Sequence, residues 1–152
     1  MHGAPEEDDA KVAIGSPVIK GAAALVALAG LFTAMTGLQI AMATDYYGSP
    51  LVHAIPFVQL AFGVGSILLA ASVYRARTWS SVAAAGASLF AVLAMAAYLV
   101  VSLSWGVFSC VAVIAVGLWL LAAALSLVAV PAARKATAAR ERMRARGEDL
   151  GL

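Results

Sequence analysis

Three side chains have the chemistry of a metal site or of an activated thiol: Asp45, His53 and Cys110. Carboxylate, imidazole and thiolate all bind zinc, and a thiol beside a histidine is a common activated nucleophile. No motif spacing joins the three residues, and a single cysteine excludes paired-cysteine zinc motifs. The simpler interpretation is that Asp45 ends an apolar segment, His53 lies at an interface and Cys110 packs as a small apolar side chain. We therefore expect no metal, no cofactor and no catalytic activity.

Two glutamines, Gln39 and Gln59, stand inside apolar segments. An amide that faces lipid is costly, so each is expected to face a neighbouring helix. Together with Asp45 and His53 they form a predicted polar cluster towards one end of the molecule. On antiparallel helices at similar depth, the two amides would hydrogen-bond each other. The alternative is that they contact a ligand or line a pore.

The elements that position these residues follow from the charge distribution. The 152-residue chain is 63% hydrophobic and 12% charged, whereas a soluble domain is about 45–50% apolar and about 25% charged. Residues 21–44, 46–74 and 78–133 contain no charged side chain. A membrane-spanning helix needs about 20 apolar residues, and continuous apolar runs disfavour a β-barrel. The sequence excludes a soluble enzyme and a disordered chain, and it predicts an all-α integral membrane protein with a four-transmembrane-helix bundle.

The predicted transmembrane domain covers residues 20–131, because the longest uncharged stretch divides into two spans at the polar segment 104–109. The predicted spans are about 20–44, 51–74, 80–104 and 110–130. Pro131 is expected to end the last span. An acidic segment, 1–19, precedes the domain, and a basic tail, 132–152, follows it as a short helix ending near Gly147.

Two points along the chain leave an alternative open. The second helix begins after Ser49 and Pro50, or it begins at Pro56, which otherwise bends it. Residues 41–43 resemble a signal-peptide cleavage site. However, the start of the chain is acidic and the first apolar stretch is long, so the first span is expected to be retained.

The basic residues predict the orientation. All ten lysines and arginines fall on one side of the membrane if both termini are cytoplasmic. The residues predicted to contact anionic lipid headgroups are Arg75, Arg77, Arg134, Lys135 and Arg140. The simpler interpretation is the ordinary positive-inside signal, and nucleic-acid binding is not expected. The Ala- and Arg-rich composition favours a multi-pass protein of a bacterial plasma membrane.

Small residues at steps of four predict where the helices pack, because they let helix backbones approach closely within a membrane. The residues concerned are Ala29, Thr33, Gly37 and Ala41 in the first span and Ala61 and Gly65 in the second. We expect packing within the bundle; the alternative is a dedicated dimer face. Residues 65–71 also resemble residues 117–123, which suggests a parallel two-helix repeat.

The absence of charged residues within the spans bears on function, because coupled transporters and proton relays usually keep one at depth. The sequence favours a non-catalytic subunit or scaffold of a membrane complex, whose partner is another membrane protein or further copies of the chain. The alternative is a small channel or facilitator, including a holin-like protein, formed by homo-oligomerisation. The layout of four spans does not itself transmit a function.

Overall fold

The chain forms four long α-helices. The computed structural model describes residues 12–14, 16–43, 50–104, 106 and 109–147. The helices are α1 (Pro17–Ala43), α2 (Pro50–Tyr74), α3 (Thr78–Ser104) and α4 (Cys110–Ala145). Each is long and apolar enough to cross a membrane, which confirms the prediction of an all-helical chain with four candidate spans.

The predicted start of the last helix and the predicted end of the tail agree with the structure. Ser109 caps α4, and its hydroxyl accepts a hydrogen bond from the Ala112 N–H at 3.3 Å. At the other end, the Arg146 N–H bonds to the carbonyl of Met143 at 3.0 Å. Gly147 follows with φ +77°, a left-handed conformation that glycine adopts without a steric penalty.

Helix α4 does not break at Pro131, where the last span is predicted to end, but continues through it to Ala145, so the tail is not a separate helix. A proline inside a helix removes one backbone hydrogen bond and costs about 3 kcal/mol. The alanines that follow are the best helix formers. Ala129 and Ala133, on either side of Pro131, are fully buried, so packing holds both halves in one helix. Pro56 likewise lies inside α2, which begins at Pro50.

The four helices form two antiparallel hairpins. Helix α1 packs along α2, α3 packs along α4, and α1 and α4 meet between the hairpins, whereas α2 and α3 contact each other sparsely. In the most apolar stretch of each helix, 44% of the residues are buried for α1, against 22% for α2 and 22% for α3. The core therefore lies along α1 and α4, and α2 and α3 are peripheral helices with a gap between them.

Glycines bring α1 and α2 into backbone contact. A Cβ atom added at Gly63 would lie 2.5 Å from the backbone nitrogen of Ala34 and 2.5 Å from the Gly30 carbonyl oxygen. One added at Gly37 would lie 2.7 Å from the Pro56 carbonyl oxygen. Such distances exclude any side chain, so this hairpin is held by close backbone packing, the kind of contact that associates helices in lipid.

An aromatic cluster, Phe62, Phe90 and Trp119, links three of the helices. Trp119 is fully buried, and its indole N–H donates to the Thr33 hydroxyl at 3.0 Å. The Phe62 ring lies 5.5 Å from that of Trp119 and 6.2 Å from that of Phe90, centroid to centroid. The rings come from α2, α3 and α4, and they run from the fully buried Trp119 to Phe90, which is 65% exposed.

Candidate functional site

The gap between α2 and α3 contains a half-open cavity of about 400 Å³, here called the α2–α3 cleft. On α2 its lining runs from Ala54 to Phe62, and on α3 from Phe90 to Tyr98. Each stretch corresponds to about 12 Å of helix. Phe62 and Phe90 belong to the aromatic cluster, so that cluster closes one end of the cleft. The volume falls in the range of roughly 300–1,000 Å³ typical of small-molecule pockets.

Gln59 is the distinctive polar residue of the cleft. Its side-chain oxygen Oε1 is buried and has no hydrogen-bond partner among the described residues. Thr33 also lines the cleft, but its hydroxyl already donates to the Ala29 carbonyl at 2.9 Å and accepts from Trp119. A buried acceptor without a donor costs about 1–3 kcal/mol. The Gln59 oxygen is therefore enclosed by the protein beside the cleft, and the surface of the cleft itself is largely apolar.

The predicted hydrogen bond between Gln39 and Gln59 is not formed. Gln39 is exposed, whereas Gln59 packs against α1, its Cβ 3.0 Å from where a Cβ at Gly37 would stand. Two residues along a helix are turned by about 200°. Since Gly37 faces α2, Gln39 must point away from it, and the two amides do not meet.

The other two members of the predicted polar cluster are Asp45 and His53. Asp45 and the side chain of His53 lie outside the described residues. Cys110 is exposed at the start of α4. In the part of the chain that the structure describes, no group of three His, Cys, Asp or Glu residues is placed to hold a metal ion.

The predicted packing residues divide between the two helices. In α1, Ala29, Thr33 and Gly37 are buried and Ala41 is half-buried. In α2, Ala61 and Gly65 are instead exposed, so the prediction that they pack inside this chain is wrong. Gly63 sets the buried face of α2, and residues two positions from it are turned by about 200° to the opposite side.

The basic residues predicted to touch lipid headgroups also divide. Arg75, Arg77, Arg134 and Lys135 are exposed. Arg140 instead points into the protein, where its Nε and Nη2 donate to the Ala13 carbonyl at 3.0 Å and 2.8 Å. Its Nη1 donates to the Arg75 carbonyl at 2.7 Å. The role of Arg140 is therefore corrected from headgroup contact to a clamp between the segment before α1 and the α2–α3 turn.

Two other features lie beside the clamp at this end of the molecule. Ala13 is fully buried against Ala139 and Met143, so the segment 12–14 packs on the part of α4 beyond Pro131. Ala76, in the α2–α3 turn, is buried with φ +53°, a conformation that costs a non-glycine residue roughly 1–2 kcal/mol. Burial lowers the pKa of the Arg140 guanidinium, as do the charges of Arg144 and Arg77, yet an arginine stays protonated and keeps donating.

Replacing Arg140 by alanine is expected to release the segment 12–14 from α4. Three hydrogen bonds from a charged donor are lost, and each such bond contributes roughly 1.5–3 kcal/mol, less where water reaches it. We expect backbone amide exchange at residues 12–14 to rise by at least about tenfold. Arg144→Ala is the matched control, because Arg144 is exposed on the same helix. Unchanged exchange in Arg140→Ala, or an equal rise in the control, would contradict the clamp.

The fold defines the class of protein: an all-helical chain with four helices compatible with a membrane bundle. Comparison of the chain with protein families, with curated proteins and with solved structures found no match.

Proposed function

We propose that this protein is a non-catalytic subunit of a membrane complex, and that a helix of its partner packs on the exposed face of α2 at Ala61 and Gly65. One observation carries the proposal. The two small residues stand one helical turn apart on the surface, and a Cβ at Gly65 would meet nothing within 4 Å. Small residues four apart let a second helix approach closely in lipid.

The surroundings of this pair support the same function. Val58, Val64 and Leu68 are exposed on the same helix, so the small pair lies within an apolar surface. Exposed apolar side chains alone do not indicate a partner in a membrane, since lipid solvates them equally well. The surface at Ala61 and Gly65 is different, because two small residues one turn apart let the backbone of a second helix approach closely, which a mobile acyl chain does not exploit.

The proposal includes an orientation with both termini cytoplasmic in a bacterial plasma membrane. Arg75 and Arg77 lie between α2 and α3, and Arg134 and Lys135 lie on α4 beyond Pro131. Two further basic residues are at the same end of the bundle: Lys20 lies over the Tyr74 ring, and Arg140 donates to the Arg75 carbonyl. Exposed basic residues beside anionic lipid contribute about 1 kcal/mol each. In this orientation these four basic residues would lie at the inner leaflet. The two hairpins would form the proposed parallel repeat.

A homo-oligomeric channel or facilitator, including a holin-like one, is the second candidate. The exposed pair on α2 fits a second copy of the chain as well as it fits a different protein. Because the fully buried Trp119 packs against Phe62 inside the bundle, a pore is expected to run between protomers. The mass of the extracted complex separates the two candidates.

The test compares Gly65→Leu with the matched control Gly117→Leu after gentle extraction of the tagged full chain from its native membrane. Gly117 is also exposed with nothing within 4 Å, but it lies on α4. We expect Gly65→Leu to reduce the copurifying partner by about tenfold or more, since a side chain at a close helix contact removes its packing. Gly117→Leu should retain the partner. Retention of the partner by Gly65→Leu, or equal loss in both variants, would contradict the proposed face.

A further inference from the structure

We propose that the acidic segment 6–9 docks on an arginine cluster of the same chain, Arg77, Arg140 and Arg144, and shields it from anionic lipid headgroups. The segment lies outside the described residues, whereas the cluster and residues 12–14, which lead to it, are described. Because residues 12–14 pack on α4 beside Arg140, the segment joins the molecule at the same end as the cluster. Docking leaves the partner face of α2 untouched, so it stands or falls separately from the subunit proposal.

This end of the molecule carries a large excess of positive charge. The described residues include nine lysines and arginines but a single acidic residue, Glu141. Arg140 donates to two backbone carbonyls, which are neutral, so these contacts do not balance its charge. The charges of Arg144 and Arg77 both lower the pKa of Arg140, because the three guanidinium groups lie close enough to repel one another. An anion at the cluster would relieve this repulsion.

The chain before α1 runs along α4 towards the cluster. Ile19 shares a core cluster with Ala136, whereas Ala13, which precedes it in the chain, packs with Met143. Since Met143 is about 10 Å further along α4 than Ala136, the chain runs antiparallel to α4 and towards its C-terminal end. Arg144 is the next residue of α4 there. The residues before Ala13 are therefore led towards the cluster and not away from it.

The acidic segment is within reach of the cluster. An extended chain covers at most about 3.3–3.6 Å per residue, so Asp9 lies at most about 14 Å from Ala13 and Glu6 at most about 25 Å. Arg140 holds the Ala13 carbonyl at 2.8 Å. Arg144 is one turn, about 6 Å, further along the same helix. All four carboxylates can therefore meet the cluster without moving the anchored residue.

Tethering favours this segment over a lipid headgroup. A group held by a short linker has an effective concentration of about millimolar order, without the entropy cost of capturing a second molecule. Four carboxylates also match the charge of three arginines. Of the exposed residues proposed to lie at the inner leaflet, only Arg77 belongs to the cluster, so docking leaves Arg75, Arg134 and Lys135 to the lipid.

The test uses a carbodiimide, which couples a carboxylate to an amine without a spacer. Arg144→Lys places an amine in the cluster and keeps its charge. Lys135 is the matched control, because it is exposed on α4 about 14 Å away and on the opposite side of the helix. The full chain is reconstituted in phosphatidylcholine vesicles, treated with the carbodiimide, and its coupled peptides are measured by mass spectrometry. We expect carboxylates of the segment 6–9 to couple to position 144 at least about fivefold more than to position 135.

Three controls make the coupling result decisive. Yields are divided by the acetylation of the same amines with a small soluble reagent, which corrects for accessibility. Raising the salt from about 0.1 M to about 1 M should reduce coupling at position 144, because it shortens the Debye length from about 10 Å to about 3 Å. A mixture of isotope-labelled and unlabelled chains separates coupling within one chain from coupling between two. Equal yields at the two positions, coupling only to residues 148–149, or products that join two chains would overturn the proposal.

The shielding of the cluster is measured with a variant that removes the four negative charges: Glu6→Gln, Glu7→Gln, Asp8→Asn and Asp9→Asn. The control, Glu148→Gln with Asp149→Asn, neutralises the other acidic residues near the end of α4 in the sequence. After reconstitution with phosphatidylcholine and phosphatidylglycerol, native mass spectrometry counts the lipids that each protein retains. We expect the first variant to retain about two- to fivefold more phosphatidylglycerol than the wild type, and the control to resemble the wild type. Unchanged retention in the first variant, or an equal gain in both, would contradict shielding by the segment.

Discussion

Replacing Gly63 by alanine is expected to push α1 and α2 apart and to destabilise the protein more than alanine at Gly30 or Gly37. The new Cβ would lie 2.5 Å from the Ala34 backbone nitrogen and 2.5 Å from the Gly30 carbonyl oxygen. Backbone atoms cannot swing aside as a flexible side chain does, so the whole helix pair must move apart. Overpacking of this kind costs about 1–3 kcal/mol or more.

The matched control is Gly65→Ala, one half-turn away on the same helix. A Cβ there meets nothing within 4 Å, and alanine is the better helix former. The control should therefore be neutral or slightly stabilising, within about 0.5–1 kcal/mol. Thermal unfolding of both variants in the same detergent, followed by circular dichroism, measures the difference. A Gly63→Ala variant as stable as Gly65→Ala would contradict the close packing of the α1–α2 hairpin.

Replacing Trp119 by alanine is the second change with a large expected effect. The indole is fully buried in the aromatic cluster, in contact with Phe62, and donates to Thr33. Truncating such a side chain leaves a large cavity and costs about 3–5 kcal/mol in protein cores. The variant should lose much of its thermal stability, and the space between the four helices should open at mid-length.

Two further variants separate the ring from its hydrogen bond. Trp119→Phe keeps an aromatic ring and loses the N–H donor, which is worth about 0.6 kcal/mol on average between membrane helices, so its effect should be much smaller. Trp79→Ala is the control for losing a tryptophan, since Trp79 is 58% exposed. Thermal unfolding should rank Trp119→Ala far below Trp119→Phe, with Trp79→Ala near the wild type. Equal stability of the two alanine variants would contradict the central role of Trp119.

Helix number and most helix ends could be predicted from the sequence because they depend on local chemistry. Charges bound the uncharged stretches, the polar segment 104–109 divides the longest of them, and Gly147 offers a left-handed residue. The continuation of α4 through Pro131 could not be predicted in the same way. A proline predicts a break from its own geometry, whereas the helix continues because Ala129 and Ala133 pack against other helices.

The candidate site was harder to predict because it depends on which face each helix turns inwards. Gln39 and Gln59 were correctly placed within apolar helices, yet only the contact of Gly37 with α2 shows that Gln39 points away. The same holds for Ala61 and Gly65. In so apolar and Ala-rich a helix, pattern alone does not distinguish that pair from Gly63 and Ser66, which face α1.

Arg140 shows a third limit. It stands in a row with Arg142, Arg144 and Arg146, and nothing in its type or spacing separates it from them. Its role follows from the continuation of α4 past Pro131, which brings residue 140 beside the Ala13 and Arg75 carbonyls. A helix that breaks at Pro131 gives no reason to place Arg140 beside Ala13 and Arg75, so the sequence alone does not predict these hydrogen bonds.

The mass and composition of the complex extracted from the native membrane test the central proposal most directly. The full chain carries a C-terminal tag, is extracted gently, and is measured by native mass spectrometry together with identification of every copurifying chain. We predict one distinct membrane protein at fixed stoichiometry, lost in Gly65→Leu and retained in Gly117→Leu. A monomer, or an assembly of this chain alone, would contradict the subunit proposal, and an assembly of this chain alone would favour the channel.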